Sequence, residues 1–158
     1  MNLRLETERN RANTAYRCAK EGIEKYGEKS SVQKPDEGES HGEKYEAIVG
    51  KLPMRILNNG LGETIAFHFS KSKNKKGNET AHGYVCEQLR TWLVEQQYLS
   101  GSDIASFVLE VVSLSLAESR VVTNETLAFL TWLRRFTDGL SAQMAASTGN
   151  SNSDESTS

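Results

Sequence analysis

The apolar residues of this chain recur at helical spacings over most of its length. Between Glu6 and Tyr26 they alternate at intervals of four and three, the period of one helix face. These positions are Ala12, Tyr16, Ala19, Ile23 and Tyr26. Gly27 ends the pattern, and residues 28–42 contain hardly any apolar side chain. We therefore expect a first amphipathic helix followed by a mobile linker.

A second apolar stripe begins near Glu43. Its members are Tyr45, Ile48, Val49 and Leu52. Pro53 then removes a backbone donor, which predicts a kink or break before one or two further turns. Asn58-Asn59-Gly60 predicts a left-handed C-terminal cap. A third helix is expected from about Gly62 to Phe69.

The C-terminal half predicts three more helices. One spans roughly Thr80 to Tyr98, and Ser102 is a candidate N-cap for the next, from Asp103 to about Ala117. That helix is apolar over much of its circumference, which predicts a place in the centre of a bundle or in an interface. The last is expected from about Glu118 to Gly139, fraying toward Met144, because Leu127, Leu130, Leu133 and Phe136 lie at helical spacings.

These elements and the composition predict an all-α fold. A length of 158 residues with 37% hydrophobic residues fits one domain. Such a chain buries roughly two thirds of its unfolded surface and needs no metal for stability. We expect a compact single-domain bundle of about five to six helices over residues 1–146, interrupted by the linker at 28–42. Residues 147–158 read as a disordered polar tail.

The two cysteines and the lack of long apolar segments bear on the cellular compartment of the protein. Cys18 and Cys86 lie in unrelated helical patterns, and residues 1–11 are polar and charged rather than secretory. No apolar run approaches the roughly 20 residues that span a bilayer. The sequence therefore predicts reduced thiols, no membrane and a cytoplasmic location.

Charge is segregated along the chain although its net value is only -2. The segment Pro35–Glu43 carries only acidic charges, whereas four lysines crowd the loop Ser70–Asn78. They are Lys71, Lys73, Lys75 and Lys76. A locally basic surface can bind phosphates on an acidic protein. The alternative is a merely solvated loop.

Arginines form a second cationic candidate. Arg134 and Arg135 are adjacent on a helix and diverge by about 100°, so at least one is exposed. Together with Arg120 and Arg55 they could contact phosphates or carboxylates of a partner. The alternative, which the residues alone leave equally open, is self-pairing with the nearby acidic side chains. Those are Glu118, Glu125 and Asp138.

Other chemistry-bearing residues favour structural roles. His82 and Cys86 lie four apart on one helix and His68 could approach them, but no fourth zinc ligand is near. Trp92 and Trp132 could stack on bases, yet each lies within an apolar stripe, which favours core packing. No nucleophile and base form a catalytic pattern, so we expect neither an enzyme nor a cofactor or metal.

Two blocks of sequence resemble a known family. They are KYEAIVGKLPMRILNNGLGETIAFHFSKSK, Lys44–Lys73, and SRVVTNETLAFLTWLRRF, Ser119–Phe136, with a helical segment ending in TWL between them. In this order they resemble the small all-helical subunit of type III-B CRISPR effector complexes, the Cmr complexes. The acidic linker, the extended lysine loop and the polar tail depart from that pattern.

The resemblance implies a non-catalytic subunit that stacks in several copies along the backbone subunits, next to the large subunit. It implies contact with guide RNA and target RNA through their backbones, with cleavage left to the backbone subunits. The candidate RNA contacts are Lys51, Arg55, Lys71, Lys73, Arg134 and Arg135, with Arg17 and Lys20 as additions.

Two hypotheses from other classes stay open. One is a helical adaptor without RNA contact that uses the apolar helix Asp103–Ala117. Scattered cations paired with glutamates would favour it, whereas one continuous cationic stripe would favour RNA. The other is a hydrolase, which would need a cleft that gathers His68, His82 and a carboxylate.

Overall fold

Six α-helices make up the described part of the chain. The computed structural model describes residues 2–28 and 42–150. The helices are α1 Leu3–Tyr26, α2 Tyr45–Asn59, α3 Leu61–Ser70, α4 Ala81–Glu95, α5 Ile104–Val112 and α6 Leu116–Asn150. Within these residues the only β-type pairing is an isolated bridge between Lys73 and Glu79. The predicted all-α fold is confirmed. Residues 29–41 of the predicted linker and residues 151–158 of the predicted tail lie outside the described residues.

The core collects large side chains from every helix. The largest buried ones include Tyr45 of α2, Ile65 of α3, Trp92 of α4, Phe107 of α5 and Phe129 of α6. α1 contributes Ala15, Ala19, Ile23 and Tyr26. Trp92 stacks on Phe129 with ring centroids 5.0 Å apart. Trp92 therefore packs in the core, as its apolar stripe predicted.

The Tyr45 side chain of α2 packs against α1 at Gly22 and bonds to α4 at Gln88. A Cβ added to Gly22 would lie 2.1 Å from the Tyr45 ring, so only glycine admits the ring here. The Tyr45 hydroxyl donates to Gln88 Oε1 at 2.7 Å, and Gln88 Nε2 donates to the carbonyl of Cys18 at 2.9 Å. These bonds satisfy buried polar groups while fixing α2 and α4 against α1.

A buried ion pair links α1, α4 and α6. Glu125 of α6 is 6% exposed and accepts hydrogen bonds from Arg11 Nε at 2.9 Å and Nη2 at 2.7 Å. Trp92 Nε1 donates to the same carboxylate at 3.0 Å. Hydrogen bonding to Glu125 raises the pKa of Arg11. Glu8 also pairs with Arg11 and accepts from Trp132 Nε1 at 3.1 Å.

α2 differs from the prediction at Pro53 and at its C-cap, Gly60. We predicted a kink or a break at Pro53, and the break does not occur because the helix continues through this residue. Leu52 and Ile56 are buried on either side, so packing offsets the lost backbone bond, which costs about 3 kcal/mol. Gly60 has the expected positive φ of 87°, but its ψ of 161° lies outside the left-handed helical region predicted for the cap. Glycine tolerates this conformation.

The helices after α3 have different ends from those predicted. α4 ends at Glu95 rather than Tyr98, and α5 is capped by Asp103 rather than Ser102. A second reciprocal cap, in which Ser115 Oγ accepts from Glu118 N and Glu118 Oε2 accepts from Ser115 N, starts α6 early. α6 then continues past the predicted boundary at Ala146 to Asn150.

α5 lies at the periphery. Only Phe107 and Val111 of this helix are buried, whereas Leu109 and Val112 are 66% and 56% exposed. A central position for this segment is therefore wrong. Its apolar outer face remains consistent with the predicted interface.

Candidate nucleic-acid interface

Two predicted cations, Arg55 and Lys71, contact one aromatic ring, and a third, Lys51, lies one helical turn from Arg55. Lys51 and Arg55 are four residues apart on α2 and share a face. The Arg55 guanidinium carbon lies 3.8 Å from the centroid of Phe67 on α3, and Lys71 Nζ lies 5.2 Å from it. We call Lys51, Arg55, Phe67 and Lys71 the Phe67 cluster. The ring holds two cations in place through its π face while their polar atoms stay available to solvent.

The lysine loop after α3 is ordered by local bonds. Asn74 Oδ1 accepts from the backbone N–H groups of Lys76 and Asn78, both at 2.9 Å. Gly77, with a φ of 79°, supplies the turn. The buried Ser72 lies against Gly83 of α4, where an added Cβ would come within 2.6 Å of the Ser72 carbonyl. The loop therefore presents its lysines from a fixed backbone.

Two buried histidines lie beside the Phe67 cluster. His68 Nδ1 and His82 Nδ1 are 2.7 Å apart, and the rings stack with centroids 5.0 Å apart. Phe67 meets both rings edge-on. Glu43 Oε2 lies 3.7 Å from His82 Nε2, while Glu43 Oε1 accepts from Lys51 Nζ at 2.6 Å. The carboxylate thus joins the exposed cations to the buried imidazoles.

The environment keeps both imidazoles neutral near pH 7. Burial, followed by the charges of His82 and Arg55, lowers the pKa of His68 to about 4. Burial also lowers the pKa of His82, and Lys71, Arg55 and Lys51 act in the same direction against Glu43. The hydrogen bond from Lys51 lowers the pKa of Glu43, which is therefore ionised.

Four of the remaining predicted contacts lie on α1 and α6, whereas Lys73 lies in the loop between α3 and α4. We call Arg17, Lys20, Arg134 and Arg135 the α1–α6 group. All four are exposed. α1 and α6 pack together, and the edge-on contact between Tyr16 and Phe136, with centroids 5.4 Å apart, lies next to Arg17 and Arg135.

The exposed cations are mostly free of acidic partners. Within residues 2–28 and 42–147, none of the α1–α6 group forms an ion pair, nor do Lys71 and Lys73. Lys51 is the exception. Apart from Lys51, the predicted contacts are therefore not paired with glutamates, and they lie on α1, α2, α6 and the segment that follows α3.

Some of the predicted pairings are wrong. Glu125 is buried with Arg11 and Trp92, so it does not neutralise Arg134 or Arg135. Arg120 and Arg134 lie on one helix, and their separation of 14 residues is about 21 Å along its axis. Arg120 therefore lies too far along α6 to share one compact patch with Arg134 and Arg135.

The zinc alternative has no support in the described part of the chain. No group of three or more potential ligands there is arranged to hold a metal ion. Cys86 is buried, and burial raises the pKa of its thiol to about 12, so it stays protonated. The thiol is a core residue, as the sequence favoured.

Two partners of the predicted cations were missed by sequence analysis. Phe67 was read only as an apolar residue, although its spacing of four from Lys71 on a helix is a usable signal. Glu43 was counted with the acidic linker, and its contact with His82 of α4 has no local sequence signature.

Exposed apolar side chains form the other conspicuous surface. One set lies on α5 and at the start of α6, as Leu109, Val112, Leu116 and Val121, each at least half exposed, and others lie on α1 and α2. A groove of about 560 Å³ lies alongside, lined by Tyr98, Leu114 and Val121 among others. None of the helices in the described residues combines the length and hydropathy needed to cross a membrane.

The fold and the surface define the class of this protein, a small helical protein with exposed cations and an apolar outer face. The family model of the CRISPR-associated protein Cas_Cmr5 matches residues 7–140. Among solved structures, the chain is similar to the X-ray crystal structure of a CRISPR-associated Cmr5 family protein from Thermus thermophilus. The two are 25% identical with a TM-score of 0.55 over 82% of this chain and 92% of that chain.

The chain belongs to the Cmr5 family of CRISPR-associated proteins. The resemblance to the small subunit of type III-B Cmr complexes, predicted from the two sequence blocks, is confirmed.

Proposed function

We propose that this chain is a non-catalytic, filament-forming small subunit of a type III-B CRISPR complex in the cytoplasm. Several copies stack along the backbone subunits and hold guide RNA and target RNA by sequence-independent contacts. The observation that carries the RNA part is the Phe67 cluster, where Arg55 and Lys71 are held on one ring.

The chemistry of the cluster suits a phosphate backbone. Ammonium and guanidinium groups neutralise phosphates without reading bases. Because Phe67 holds Arg55 and Lys71 before RNA arrives, less side-chain entropy is lost on binding. The α1–α6 group adds four exposed cations on two other helices, which fits contact with more than one RNA segment or subunit.

The stacking part rests on the exposed apolar face of α5 and α6. Val112 and Leu116 are 56% and 72% exposed, and such side chains cluster on protein surfaces that bind partners. Head-to-tail contact between copies produces an open filament when the rotation does not close a ring. Replacing Val112 with Asp should reduce assembly without unfolding the chain, because the residue is already exposed.

A catalytic role is not favoured by the histidine geometry. His68, His82 and the Glu43 carboxylate do come together, as the hydrolase hypothesis required. However, the two imidazole residues are only 4% and 7% exposed, so a substrate does not reach them. We assign the pair a structural or regulatory role.

RNA binding by matched variants tests the proposal. Replacing Lys71 and Lys73 with Ala should weaken binding of unrelated RNA sequences equally and flatten the salt dependence, because fewer counterions are released. Arg9→Ala, at an exposed arginine outside both cationic groups, is the control for loss of a positive charge. An unchanged salt slope in the lysine variant removes the loop from the interface. Normal assembly without any RNA contact would favour the adaptor hypothesis.

A further inference from the structure

Glu43 occupies a position between an exposed cation and a buried imidazole. Its two oxygens contact different partners, Oε1 accepting from Lys51 Nζ at 2.6 Å and Oε2 lying 3.7 Å from His82 Nε2. An RNA phosphate that binds Lys51 competes with this carboxylate for the same ammonium group. The displaced Glu43 carboxylate still lies beside His82, which becomes a cation when it is protonated.

The histidine pair can supply that charge. A Nδ1 to Nδ1 distance of 2.7 Å requires one ring to donate and the other to accept. The proximity of Glu43 to His82 Nε2 assigns the N–H there to His82, so His82 Nδ1 accepts from His68 Nδ1–H. A proton added at His68 Nε2 lets the shared proton cross to His82 Nδ1. His68 is then neutral again, and the positive charge lies on His82 beside Glu43.

We propose that phosphate binding at Lys51 is coupled to uptake of one proton by the His68–His82 pair, as Glu43 exchanges Lys51 for His82. The inference rests on the proposed RNA-binding function and adds its regulation. Acidification should therefore tighten RNA binding, and RNA should in turn favour the protonated pair, since linkage is reciprocal.

Burial is the main reason that the proton is absent before binding, and the cations facing the pair add to it. Lys51 and Arg55 approach from α2 and Lys71 from the end of α3, and all three disfavour an imidazolium. Glu43 alone favours it. Bound phosphates neutralise the cations and bring negative charge of their own, so the balance at His82 shifts toward the protonated form.

Titration calorimetry of the purified chain with a mixed-sequence single-stranded RNA measures the coupling. The titration is repeated in two buffers of different ionisation enthalpy, because the difference gives the protons taken up. The expected result is net uptake of up to one proton. Affinity should then rise by up to about tenfold for each unit of pH lowered between about pH 8 and pH 6.

Glu43→Gln separates the coupling from binding itself. This partly exposed residue can be changed without opening the core. The variant should bind RNA more tightly than the wild type at about pH 8, because Lys51 is already free, and should take up no proton. His41→Asn, which removes the third histidine and lies outside the described residues, should keep the wild-type uptake.

The outcomes distinguish the two proposals. RNA binding without proton uptake, or uptake that Glu43→Gln leaves unchanged, overturns the coupling and leaves the proposed function standing. Lost uptake in His41→Asn also overturns it. A chain that binds no RNA at either pH overturns the proposed function and the coupling together.

Discussion

Replacing Glu125 with Leu should destabilise this protein more than most single substitutions. The change removes a carboxylate that accepts from Arg11 and Trp92 in the interior. The Arg11 guanidinium would keep only Glu8, whose side chain is 44% exposed. The Trp92 N–H would lose its acceptor. The result is a nearly buried cation and an unsatisfied donor in the core.

The expected loss follows from those two defects. Breaking a buried ion pair by removing one partner costs about 3–5 kcal/mol, and an unsatisfied buried donor costs about 1–3 kcal/mol. Glu8 and the apolar area of the new leucine offset part of this. We expect the free energy of unfolding to fall by about 4 kcal/mol. For a domain of this size that lowers the midpoint of thermal unfolding by about 8–16 °C.

Urea and thermal unfolding followed by circular dichroism measure the effect. Asp138→Leu, at an exposed acidic residue of the same helix, is the control and should stay within about 0.5 kcal/mol of the wild type. The double variant Arg11→Met with Glu125→Leu should regain most of the loss, because no unpaired charge remains. A cost below about 1 kcal/mol for Glu125→Leu, or a double variant no more stable than it, would refute the reasoning.

Two further stability predictions follow from the geometry. Gly22→Ala should cost several kcal/mol by unfolding, because its Cβ would lie 2.1 Å from the Tyr45 ring, whereas Gly139→Ala, with nothing within 4 Å, should gain about 0.5–1 kcal/mol; equal effects would contradict this account. Lowered folded-state pKa values of His68 and His82 mean that stability is complete above the unfolded pKa of about 6.5. It should decline as pH falls toward about 4, and His68→Asn should reduce that decline in acid titrations followed by fluorescence.

Helical periodicity was enough to predict the fold class and most helices. The spacing of apolar residues is a local property, so α1 to α4 follow from it with small errors at the ends, apart from the break that Pro53 suggested within α2. The errors at α5 and α6 have a local cause as well. Ser115 and Glu118 form a reciprocal cap that starts a new helix, and the sequence S-L-A-E carries this signal.

Tertiary contacts explain what the pattern could not predict. Pro53 stays within a helix because its neighbours Leu52 and Ile56 are buried by other elements. Arg11 reads as a surface residue, yet it is buried by a partner 114 positions away, Glu125. Local patterns contain no information about such a partner.

For the candidate interface too, local sequence predicted some features and tertiary packing determined the others. The exposure of Lys71, Lys73, Arg134 and Arg135 was predictable, because strongly polar segments and adjacent arginines cannot all be buried. Their arrangement into two groups required the packing of the helices. Phe67 as a common support for Arg55 and Lys71 likewise emerges only when α2 and α3 are placed together.

The most direct test of the central claim compares Cmr complexes reconstituted with and without this subunit. Fluorescence anisotropy of labelled target RNA at two salt concentrations gives the affinity of each complex. The account predicts that omission weakens target binding for unrelated guide sequences alike, and that the complete complex shows the steeper salt dependence. Equal affinities and equal salt slopes with and without the subunit would contradict it.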